Sequence, residues 1–177
     1  MIEPAAVEIK PPPSPPMRKV RDVTILGLGN VLLSDDGVGV HVARHLAMNP
    51  GSPEGLRAFD AGAPGFRLMD VLTESDSVLI VDAARLDAPP GAMSVLDRND
   101  LCGCITPGRR SSAHEAGLLD LLTLAQIDGW APTHLALLGV QPQRVDLGEE
   151  LSETLALLIP LASRAAIEIA LTWQAEP

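Results

Sequence analysis

VTILGLGNVLLSDDGVG, residues 23–39, is the stretch on which the architecture turns. Its first seven residues are almost wholly apolar, as expected for a strand buried on both faces. Ser34-Asp35-Asp36 follow, rich in helix N-cap residues, and 38–46 then carries apolar side chains at helical spacing. Outward from there the pattern repeats in kind. Residues 56–60 read as a second strand, 66–72 as helical, and 77–83 (SVLIVDA) as a third, strongly apolar strand. Pro89-Pro90-Gly91 makes a turn into a strand at 92–96, and 99–110 is loop-like. Helical spacing returns at 114–126, a buried strand is expected at 134–140, and 152–173 is a long amphipathic helix. That last helix opens on Ser152-Glu153, which suits capping, and Pro160 is expected to kink it. Strands alternating with helices imply an α/β layered domain around a mainly parallel sheet.

In such a sheet, ligands bind at loops beyond the carboxyl ends of the strands. That rule selects a small set of residues. Strand one runs into Asp35 and Asp36, strand two ends at Asp60, strand three ends at Asp82, and His114 opens a later helix. Two carboxylates and an imidazole can hold a borderline cation such as nickel or zinc with positions left open. They can equally act as general acid and base. Each also has a plainer role: Asp35 or Asp36 as a helix cap, Asp60 and Asp82 as acceptors for loop amides, His114 as a helix-start residue. His41 and His45, four residues apart, read as an exposed helix face, and His134 as the edge of a strand.

Several chemistries are absent from the sequence. His114-Glu115 begins like HExxH, but Leu118 stands where the second histidine belongs. There is no GxSxG elbow and no Walker A loop. Gly27-Leu28-Gly29 after the first strand, with Asp60 ending the second, suggests a dinucleotide site. Leu32 in the third glycine position, and aspartates where a pyrophosphate would lie, argue against it on charge.

The 177 residues suit one domain, 21–177, preceded by a tail over 1–20 that holds six of the sixteen prolines. A disordered or polyproline-like tail is the expectation there, with a PxxP docking motif (Pro12 and Pro15, or Pro13 and Pro16) as the alternative. With no Tyr, two Phe and two Trp, the core must be aliphatic. A formal charge of −10 disfavours nucleic acid and anionic membrane surfaces, leaving proteins or cations as partners. No apolar run approaches the roughly 18–20 residues of a membrane span, and the N-terminus lacks signal-peptide layout. Cys102 and Cys104, one residue apart, make a poor disulfide or metal pair, so a cytoplasmic location is expected.

At these residues the sequence resembles the hydrogenase maturation proteases, which process nickel–iron hydrogenase large subunits. The resemblance rests on ILGLGNVLLSDDGVG (25–39), FDAGAPG (59–65), VLIVDA (78–83), AHEAGLLDLL (113–122), LGVQP (138–142) and Leu151-Ser152, in the family's order. It implies a three-layer α/β/α sandwich with a mainly parallel sheet of about five strands. It also implies a nickel-contacting trio of Asp36, Asp82 and His114. Asp60 matches an aspartate in the family's DGGT-like segment, although this chain reads Asp60-Ala61-Gly62-Ala63 and lacks the first glycine and the threonine. The implied activity is removal of a C-terminal extension from a nickel-loaded large-subunit precursor. The nickel belongs to the substrate, no organic cofactor is needed, and a monomer suffices. Asp36, Asp60 or polarisation by the nickel would activate a water. The competing classes are a nucleotide-binding module and a metal-binding chaperone without proteolysis.

Overall fold

The computed structural model describes residues 22–49, 52–62, 68–98, 115–127, 129 and 132–176. In chain order these contain β1 (Val23–Leu28), a 3-10 turn (Ser34–Gly37), α1 (Val38–Ala47), β2 (Leu56–Gly62), α2 (Leu68–Thr73), β3 (Ser77–Ala83), β4 (Met93–Asp97), α3 (Glu115–Ile127), β5 (His134–Val140) and α4 (Glu153–Ala175). The five strands form one sheet in the order β2-β1-β3-β5-β4. All neighbours run parallel except β4, which lies antiparallel to β5 at the edge. The expected α/β sheet is therefore present. The readings for 1–20, 99–110, Cys102 and Cys104 fall outside the described residues.

Alternation along the strands splits the core into two layers. Val23, Ile25, Leu79, Val81, Leu138 and Val140 face α1 and α4, where Val38, Val42, Leu46, Leu155, Ala162 and Ala166 meet them. Leu26, Leu28, Val78, Ile80 and Leu137 face the other way, onto Leu68 and Leu72 of α2 and Leu118, Leu121 and Leu122 of α3. β1 and β3 are buried along their whole length. This is what continuous apolar runs produce when helices cover both faces of a sheet. Among the described residues every buried hydrophobic is Ala, Val, Leu or Ile, in keeping with the scarcity of aromatics. Each fully buried branched side chain contributes about 1.5–3 kcal/mol by leaving water.

α1 reaches the sheet through main-chain contact. A Cβ on Gly39 would collide with the carbonyl oxygens of Val81 and Leu28, and one on Gly27 with the carbonyl of Gly39. The helix start thus lies directly on β1 and β3. Gly29, at φ 138°, is used in the same way: a Cβ there would strike the Asp36 carbonyl. The glycines that resemble part of a dinucleotide fingerprint are spent on helix–sheet packing.

Two readings change at the ends of elements. Asp35 and Asp36 do not cap α1; they lie inside the 3-10 turn, and the N-cap position is Gly37, with no side-chain cap bond. Ser152 does cap α4, accepting from the Leu155 amide at 3.4 Å, and the helix continues through Pro160. α4 also corrects the reading of short apolar runs. Within its 23 residues an 18-residue window reaches a mean hydropathy of 1.7, long and apolar enough to cross a membrane by length and composition. Arg164 and Glu168 break the run into shorter apolar pieces, so no contiguous stretch reaches that length. In the fold, Leu155, Ala162, Ser163, Ala166 and Ala170 form the stripe it buries.

Candidate functional site

In the sheet order, β1 leads outward to β2 on one side and β3 lies on the other. The chain therefore reverses direction between β1 and β3, and the crevice beyond their carboxyl ends is the topological switch point. Asp36 and Asp82 stand at this crevice, one in the turn after β1 and the other next to last in β3. The 3-10 turn packs on β3. Both carboxylates are buried, Asp36 at 4% exposure and Asp82 at 2%.

The main chain arranges them. The Asn30 amide donates to Asp36 Oδ2 at 2.9 Å, while Asn30 Oδ1 accepts from the Leu32 amide at 3.0 Å. Asn30 thus folds the tight turn that returns Asp36 towards β1. Asp82 Oδ1 accepts from the Ala83 amide at 2.9 Å. Its neighbour Asp35 does something different. With 0% exposure, its Oδ2 accepts from the amides of Gln143 and Arg144 at 2.9 and 3.0 Å, and its Oδ1 from the amide of Ser152 at 2.6 Å. Asp35 fastens the loop between β5 and α4 to the end of β1. The adjacent aspartates are divided between holding the structure and facing the crevice, which nothing in their sequence spacing distinguishes.

Asp60 occupies a separate place at the edge strand β2, where it is partly exposed. Arg44 of α1 engages its Oδ2 with both Nε and Nη2 at 2.8 Å, and the Gly62 amide donates to Oδ1 at 3.1 Å. Sequence reading missed Arg44, because the pairing exists only once α1 folds back between β1 and β2. His41, one turn before Arg44, also departs from expectation. Its Nε2 is buried and has no hydrogen-bond partner among the described residues. Its pKa lies below the ordinary histidine value, chiefly because burial disfavours the cation; the Arg44 charge adds to this and Asp60 opposes it.

The structure thus brings Asp36 and Asp82 to one crevice and sets Asp60 beside it. His114 lies outside the described residues. Among the described residues no three acidic, histidine or cysteine side chains form a metal-ligand cluster. His134, expected at a strand edge, begins β5 at the opposite end of the sheet. There it stacks on Trp173 (centroids 5.1 Å apart, 10° between planes) and meets Glu176 Oε2 at 2.9 Å. It ties down the end of α4 far from the crevice.

The family model for hydrogenase maturation proteases matches residues 40–170. This chain belongs to the hydrogenase maturation protease family. It is 33% identical over 148 residues to the hydrogenase expression/formation protein HoxM of Azotobacter vinelandii, covering 83% of this chain and 71% of that one. The hydrogenase maturating endopeptidase HybD of Escherichia coli shares the fold with a TM-score of 0.74 and 28% identity, over 84% of this chain and 91% of HybD. The [NiFe] hydrogenase maturation protease HybD of Thermococcus kodakarensis gives 0.72 and 28%, over 84% and 99%. The five-stranded, mostly parallel sheet flanked by helices is the fold of these relatives, and family membership answers the choice between a peptidase and a nucleotide-binding module.

Proposed function

We propose that this chain is the endopeptidase that removes the C-terminal extension of a [NiFe]-hydrogenase large-subunit precursor once nickel is in place. The observation that carries this reading is the pair of buried carboxylates, Asp36 and Asp82, at the switch point of a sheet whose family is proteolytic. Oxygen donors held by main-chain amides can bind a cation without first reorganising, and a nickel ion already seated in a precursor presents one. Asp36, Asp82 and His114 would complete its coordination. The contact would then place the scissile peptide and make cleavage conditional on metal loading. The nickel is substrate; the protease contributes ligands and no organic cofactor.

Hydrolysis needs a water brought to the scissile carbonyl with a group to take its proton. Asp36 or Asp60 would take that proton, or polarisation by the substrate's nickel would activate the water by making its proton easier to lose to solvent. For Asp60, Arg44 occupies Oδ2 with two contacts and its charge stabilises the carboxylate, so opening that ion pair would make Asp60 a stronger base. The proposal places the reaction in the cytoplasm with the protease as a monomer of one domain.

The test is mass spectrometry of a nickel-loaded precursor incubated with the protein, beside a nickel-free control. Loss of a C-terminal peptide in the loaded sample alone is the expected result. An intact precursor in both samples would overturn the proposal, and cleavage in both would remove the role given to nickel.

A further inference from the structure

The loop 141–152 between β5 and α4 combines two properties that seldom coincide. It is firmly held: besides the three amides bound by Asp35, the Ser34 amide donates to the Gly148 carbonyl at 2.7 Å, Ser34 Oγ to the Asp146 carbonyl at 2.9 Å, and the Gly148 amide to the Leu32 carbonyl at 3.0 Å. Ser34 adopts φ 52°, a left-handed conformation uncommon outside glycine, to make these contacts. Yet the loop turns large apolar side chains to water. Leu147 is 90% exposed and Val145 51%; on the first turns of α4, Leu157 is 75% and Leu161 51% exposed. A fixed backbone that displays grouped leucines is the form of an interaction surface.

Charge runs through the same surface. Asp146, Glu149, Glu150 and Glu153 are all exposed, and Arg144 is the one cation within the loop 141–152. Glu149 and Glu150 also line a groove of about 600 Å³ between α1 and α4, together with His41, His45, Ile159 and Pro160. The groove shares α1 with the Arg44–Asp60 pair, since His41 and His45, which line it, flank Arg44 in sequence. The loop itself is held by Asp35, the residue next to Asp36 in the candidate site.

We infer that this loop and groove dock a basic segment with apolar flanks from the large-subunit precursor, holding it beside the crevice. The inference rests on the function proposed above and adds where and how the partner is gripped. Acidic side chains select lysine or arginine and repel an anionic membrane, while the leucines supply most of the binding energy. The prepaid order of the loop limits the entropy lost on docking.

The full chain and two variants, Leu147→Ser/Leu157→Ser and Glu149→Gln/Glu150→Gln, would be compared for precursor affinity and for KM and kcat of processing. All four residues are exposed, and unchanged thermal denaturation would establish intact folding. The expected result is a loss of about tenfold or more in affinity for the leucine variant, with KM rising in step and kcat unchanged. In the glutamine variant, the weakening of affinity by added salt should shrink. Wild-type affinity in both variants would overturn the inference. Three other outcomes would also overturn it by naming another occupant. These are tighter precursor binding after removal of residues 1–21, a wild-type dimer that the leucine variant dissociates, and leucine-dependent sedimentation with phosphatidylcholine–phosphatidylglycerol vesicles. Because affinity is read without cleavage, binding that depends on these residues with no processing would sink the proposed function and leave the docking surface standing.

Discussion

Asp35 and Asp60 show two ways of keeping a carboxylate in place beside the same crevice. Asp35 is sealed from water and accepts from three main-chain amides contributed by a segment more than a hundred residues away. Asp60 stands at the sheet edge and is held, among the described residues, by one partly exposed guanidinium and the local Gly62 amide. The first arrangement cannot open without exposing unpaired amides, so it behaves as structure. The second can open at the cost of one solvent-screened ion pair, so it behaves as a movable part. Asp36 lies between these extremes: it is buried as deeply as structure, but at the face where ligands bind.

Replacing Asp35 should break the comparison most severely. Asp35→Ala strands three amides and should cost about 3–5 kcal/mol, read as a lower urea midpoint. A loss below about 1 kcal/mol would show that the loop holds without the carboxylate. Asp36→Asn should separate function from fold: precursor processing falls by roughly 10²–10⁴-fold, while the urea midpoint moves much less than for Asp35→Ala. Comparable destabilisation by both changes would erase the distinction between the neighbours. Arg44→Ala should lower stability by only about 0.5 kcal/mol, since the pair is partly exposed and screened. Arg44→Lys should fail to restore wild-type behaviour, because Nε and Nη2 both engage Asp60 and an ammonium offers one contact.

The smallest effect concerns His41. Its folded pKa is below the unfolded value, so the unfolded chain takes up the proton first on acidification. Its contribution to stability is complete above the unfolded value of about 6.5 and falls as pH drops below it. For one proton the slope cannot exceed about 1.4 kcal/mol per pH unit. His41→Asn should flatten stability measured between pH 7 and 5; an unaltered slope would remove His41 as the cause.

The parts of the molecule legible in the sequence are those governed by local pattern. β3 and β5 have the bounds expected for them, because their apolar runs are continuous and flanked by polar turn residues. The carboxylates at strand ends could be picked out because a parallel sheet gathers those ends on one rim, and Asp36 and Asp82 both lie at that rim. What the sequence did not disclose depends on long-range assembly. The division of labour between Asp35 and Asp36 is decided by the loop 141–152, which arrives from the far end of the chain. The Arg44–Asp60 pair requires the α1 crossover, and the burial of His41 requires α4 to pack alongside. Residues 59–62 could be matched to the family's motif without showing that Asp60 is already occupied by an arginine.

The seat of α1 on β1 and β3 carries a further consequence. Where Gly39 of α1 meets β1 and β3, the touching atoms are main-chain atoms that every peptide shares, so the spacing there does not vary with the choice of core side chains. Leucines and valines deeper in the two layers can exchange with one another over evolutionary time while Asp36 keeps its height above the strands. The protein gains a fixed datum for its chemistry, and the requirement this imposes is narrow: two positions, Gly27 and Gly39, at which nothing larger than hydrogen fits.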